Sequence, residues 1–103
     1  LLKVCRDVQT QKCPVVVYGQ GDFGEYLLTV LQDADVKVTV VMDTYATEQG
    51  VILGTPVCGP DRINEYQSGT FVIASFQHAA EIKRTLLASR AITEAQIFDF
   101  GVQ

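Results

Sequence analysis

Residues Val15 to Gly24 read Val-Val-Val-Tyr-Gly-Gln-Gly-Asp-Phe-Gly, an apolar run entering a turn with the spacing Gly-x-Gly-x-x-Gly. The segment that leaves the turn carries Phe23, Leu27, Val30 and Leu31 at intervals of three and four residues, one apolar stripe on a helix. A second apolar run, Val36 to Met42, then ends on Asp43. Strand, glycine turn, helix and second strand make a βαβ unit. Such a unit places a diphosphate on the helix N-terminus and an acid beside the ribose.

Each glycine answers a separate demand. Gly19 supplies the tight exit from the strand, Gly21 leaves room for a diphosphate near the backbone, and Gly24 lets the helix lie close to the strand. The N–H groups and dipole at the helix start favour an anion. Asp43 is suited to accept hydrogen bonds from two ribose hydroxyls. Its charge would repel a 2′-phosphate, and neither Thr44 nor Tyr45 offers a positive charge, so NAD is favoured over NADP. Asp22 supports the helix dipole but would repel a diphosphate unless its side chain turns away.

Further along, Leu1 to Thr10 has helical spacing and reads as a lead-in helix from a longer parent, leaving 1–13 as lead-in and 14–103 as the nucleotide-binding domain. Pro14 opens the strand Val15–Tyr18, whose unbroken apolar character suits a central strand covered on both faces. A polar loop with Gly50 and Gly54 precedes the extended piece Thr55–Cys58, and Pro60 or Asp61 starts a brief helix to Tyr66. Phe71–Ser75 reads as a buried strand, Ala79 to Ser89 as a helix, and Gln96–Phe100 as the last strand. Alternating strands and helices predict a parallel sheet with helices on both faces and strand order 3-2-1-4-5. The ligand crevice then lies beyond the first and fourth strands, with Gly19–Gly24, Asp43 and Ala74-Ser75-Phe76 on its rim.

Size and charge narrow the function. A chain of 103 residues builds one core, not a nucleotide domain plus a catalytic one. A net charge of −4 with scattered basic residues argues against nucleic acid as partner. No apolar run approaches the about 20 residues that span a bilayer, so direct membrane insertion is not expected. Cys5, Cys13 and Cys58 read as reduced thiols of a cytoplasmic domain. One histidine and no ligand spacing argue against a metal. His78, with Ser75 and Gln77, reads as a capping or surface residue, and Tyr45 and Tyr66 as edge packing. No nucleophile–base pair and no Tyr-x-x-x-Lys appears, which leaves a binding module with no catalytic residues. The expected ligand set is Gly19, Gln20, Gly21, Asp22, Phe23, Gly24, Asp43, Thr44, Ala74 and Ser75.

Four stretches carry a family resemblance: Val17–Gly24, Val41-Met42-Asp43, Leu53–Asp61 and Phe71–Ala74. Together they resemble the Rossmann-like nucleotide-binding domains of bacterial polysaccharide-biosynthesis proteins. Such domains front nucleotide-sugar epimerases and dehydratases, and also sugar O-acyltransferases. The resemblance implies a nucleotide at Gly19, Gly21, Gly24 and Asp43, NAD-like in some members and a nucleotide-sugar in others. Thr44 departs from it, many relatives having a second Asp there, as does Ser75-Phe76-Gln77.

Three readings follow. The first is an NAD-binding domain, non-catalytic alone, joined to a further domain that carries the parent's chemistry. The second keeps the fold and makes the ligand a UDP-sugar. The third is a nucleotide-sensing regulatory domain, a homodimer whose assembly responds to ligand.

Overall fold

The structure, a computed structural model, describes residues 14–44, 46, 50–75, 77–89 and 92–99. The expected lead-in helix, Cys5, Cys13, Tyr45, Phe76 and Phe100 lie outside the described residues. In chain order the elements are β1 (Val15–Tyr18), α1 (Asp22–Asp33), β2 (Val40–Met42), β3 (Gly50–Ile52) and β4 (Thr55–Cys58). A 3₁₀ helix (Pro60–Tyr66) follows, then β5 (Thr70–Ile73), α2 (Ala79–Leu87), a 3₁₀ turn (Glu94–Gln96) and β6 (Ile97–Asp99).

Strand β1 is buried along its whole length because alternate side chains enter two different cores. Val15 and Val17 pack with Leu27, Leu28 and Leu31 of α1. Val16 and Tyr18 face the other way, onto Ile63 of the 3₁₀ helix and Ile82 and Leu86 of α2.

The sheet corrects the sequence expectation. Among the described residues it has six strands in the order β3-β4-β2-β1-β5-β6, and it is mixed, not the all-parallel five-stranded Rossmann order 3-2-1-4-5. β1 pairs in parallel with β2 and β5, β2 with β4, and β5 with β6, whereas β3 runs antiparallel to β4. The segment read as a polar loop is therefore half of a hairpin. Leu53 (φ 50°) and Gly54 (φ 81°) form its two-residue turn, and positive φ at both positions gives the turn the twist of the flanking strands.

The second strand is also shorter than Val36–Met42. Val16 faces Val40, which sets Val15 opposite Thr39. Thr39 donates its backbone N–H to the Val15 carbonyl at 2.8 Å and accepts from the Val15 N–H through Oγ1 at 3.2 Å. The Val15 N–H is thus spent on a side-chain oxygen and not on a backbone carbonyl of the second strand, while Pro14 turns its carbonyl to Thr70 on the other side, so the ladder with β2 stops. The expected strand Phe71–Ser75 likewise ends at Ile73, and the described part of the last strand is Ile97–Asp99.

Its approach is held by Gln96, whose Nε2 donates to the carbonyls of Gln67 (2.7 Å) and Gly69 (2.8 Å) ahead of β5. Among the described residues, no helix is long and apolar enough to cross a membrane.

Candidate functional site

Strands β1, β2 and β5 end level with one another, Tyr18 being paired with Met42 on one side and Ile73 on the other. The hydrogen bonding continues one residue further. Gly19 N–H donates to the Met42 carbonyl at 2.7 Å, Ala74 N–H to that of Tyr18 at 2.8 Å, and Asp43 N–H to that of Cys58 at 3.0 Å. Three expected site residues, Gly19, Asp43 and Ala74, are thus set side by side by the sheet itself.

The glycine turn is crowded beneath and open above. A Cβ on Gly19 would stand 2.7 Å from the Ala74 carbonyl oxygen, and one on Gly24 would run into the carbonyl oxygen of Gly19. Those two positions are closed to a side chain by packing. Gly21 differs. Its φ of 101° and ψ of −171° are reserved for glycine, yet among the described residues, its chain neighbours aside, no atom lies within 4 Å of where its Cβ would be. It stands at the N-cap of α1, with no side chain to cap the helix, at the end where N–H groups lack intrahelical acceptors and the dipole is positive. Asp22 is exposed in the first turn. Phe23 is half-buried against the α1 core, its ring 6.4 Å from that of Tyr26. Phe23 and Gly24 therefore serve the packing of the turn.

Asp43 faces that turn, its Oδ2 accepting from the Gln20 N–H at 3.0 Å. Beside it, Thr44 Oγ1 lies 2.8 Å from the hydroxyl of Tyr18, a side chain that is 1% exposed. Burial pushes the Tyr18 phenol above its ordinary range, against the opposing effect of the Thr44 hydrogen bond, so the group is neutral.

A cleft of about 240 Å³ opens over these strand ends. Gly19, Gln20, Asp43 and Thr44 line one side, and the buried Tyr18, Ala74 and Ile82 add its apolar surface. Ser75, the N-cap residue His78 and the α2 residues Glu81 and Thr85 line the other. Gly21, Asp22, Phe23 and Gly24 do not line it; they belong to the turn next door.

Ser75 Oγ accepts the His78 N–H at 3.0 Å, while His78 occupies the N-cap of α2 and makes no side-chain cap bond. Its Nδ1 lies 3.6 Å from Glu81 Oε2. Among the described residues, the lining therefore holds two carboxylates and one imidazole, with no lysine or arginine. Among the described residues, no three His, Cys, Asp or Glu side chains are grouped to hold a metal.

Sequence reasoning missed Tyr18, Glu81, Ile82 and Thr85 as cleft residues and placed His78 only as a cap. The signal was present: positions 78, 81, 82 and 85 share one helical face directly after a strand expected to end at the crevice.

A family model described as C2185-like, N-terminal, matches residues 11–98, and the chain belongs to that family. This corrects the resemblance to Rossmann-like polysaccharide-biosynthesis domains, whose short glycine-turn and Gly-x-Pro-Val motifs the chain carries without belonging to that group. No curated protein matches the chain.

Proposed function

We propose that this chain is a nucleotide-binding domain without catalysis of its own, taking a nucleoside diphosphate such as that of NAD over the glycine turn. The observation that carries the reading is Gly21: a glycine-only backbone conformation at an uncapped helix N-terminus, with open space above it. A position that packing does not reserve for glycine, but ligand approach would, fits a phosphate site.

Asp43 adds a second support. It is tied to the Gln20 amide at 3.0 Å and also lines the cleft, so ribose hydroxyls arriving there meet an acceptor already oriented. A 2′-phosphate would meet the same negative charge. A cytoplasmic location belongs to this reading, because the free, buried Cys58 thiol suits a reducing compartment.

Isothermal titration with ADP, NAD, NADP and UDP tests the reading. ADP and NAD are expected to bind, with NADP about tenfold or more weaker through like-charge repulsion at Asp43. Absence of binding by all four at millimolar concentration would refute it.

A further inference from the structure

The cleft beside the glycine turn has a chemistry of its own. Its volume, about 240 Å³, falls below the roughly 300–1,000 Å³ of sites that enclose a drug-sized ligand. That volume is of the order of one ring and not of both halves of a dinucleotide. The lining pairs an apolar surface, from Ala74, Ile82 and the Tyr18 ring, with oxygens of Asp43, Glu81 and Thr85. Carboxylates accept hydrogen bonds and donate none when ionised, so they suit hydroxyl groups. A further phosphate would face Asp43 and Glu81, with no lysine or arginine among the described lining residues to offset them.

We propose that the cleft seats an uncharged polyhydroxylated ring, the sugar attached to the distal phosphate of a nucleoside diphosphate, with Glu81 as the residue that selects it. This rests on the nucleotide reading above and specifies the second half of the ligand. Glu81 lines the cleft from α2, its Oε2 3.6 Å from His78 Nδ1 in an exposed pair that leaves the carboxylate oxygens open to a ligand. Sugar hydroxyls would take the Glu81 and Asp43 oxygens as acceptors while the ring covers Ile82 and Ala74.

The test compares each sugar-bearing nucleotide with its parent: ADP-ribose against ADP, and UDP-glucose against UDP. The comparison is made in the wild-type chain and in Glu81→Gln and Glu81→Ala. At least one sugar is expected to tighten binding about fivefold or more over its parent, and the pair that responds identifies the sugar's source. That ratio falls to about one in Glu81→Ala and to an intermediate value in Glu81→Gln, which keeps one carbonyl acceptor. A parent diphosphate that binds with no gain from either sugar overturns this inference and leaves the nucleotide reading standing. A gain that survives Glu81→Ala overturns the role of Glu81. Failure of all four ligands to bind removes both readings.

Discussion

The two sides of the cleft are built under different constraints. On the glycine side, the fold dictates nearly every residue: Gly19 is pressed against Ala74, Gly24 against Gly19, and Asp43 is bonded into the sheet and to the Gln20 amide. On the α2 side, the core is satisfied by Ala79, Ile82 and Leu86, while His78, Glu81 and Thr85 are exposed residues that the packing does not require. A change on the first side disturbs folding and ligand together. A change on the second reads ligand alone.

The sharpest break in that contrast comes from Gly24→Val. Its Cβ meets the Gly19 carbonyl oxygen, which is backbone and cannot swing away, so the variant is expected to lose about 3 kcal/mol or more in urea unfolding. Gly21→Ala comes next. The strained backbone should cost about 1–3 kcal/mol, while the new methyl enters the open space and weakens ADP at least tenfold. Gly21 is thus the one position on the glycine side where the ligand effect should outlast a correction for stability. Glu81→Ala, by contrast, should leave the unfolding midpoint within about 0.5 kcal/mol of wild type, as exposed substitutions usually do.

The smallest expected effect is alkaline. Burial pushes the Tyr18 and Tyr66 phenols and the Cys58 thiol upward. The folded chain therefore keeps protons that the unfolded chain releases, and stability is intact below the ordinary thiol and phenol ranges and declines as pH rises through them. A urea midpoint that stays level or climbs across that interval would contradict the burial of these groups.

How far the sequence foretold the structure also follows this division. β1 and α1 were legible because an all-apolar strand and a single helical stripe each admit one placement between two cores. The hairpin of β3 was not. Its turn is Leu53-Gly54, without the Asn-Gly or Asp-Gly that announces such a turn, and of the strand's three residues Gly50 and Val51 are exposed while Ile52 packs against the core, too little for an alternating pattern to show. The start of β2 was misread because Val36 and Val38 alternate like a strand and are buried, whereas the ladder ends where the Val15 N–H bonds to Thr39 Oγ1 instead of a backbone carbonyl. The three glycines and Asp43 were singled out by motif and Ala74 and Ser75 by the expected end of a strand, and of these Gly19, Asp43, Ala74 and Ser75 line the cleft; α2's contribution was hidden because its cleft-facing residues were weighed singly and not as one face.

Amide chemical-shift mapping with ADP tests the central claim most directly, because it reports which peptide groups meet the phosphates. A phosphate pair over the turn should displace the resonances of Gln20, Gly21, Asp22 and Phe23 together, with Asp43 following as its bond to the Gln20 amide responds. Saturating ADP that leaves those five unmoved, or shifts only residues remote from the ends of β1 and β2, would contradict the account.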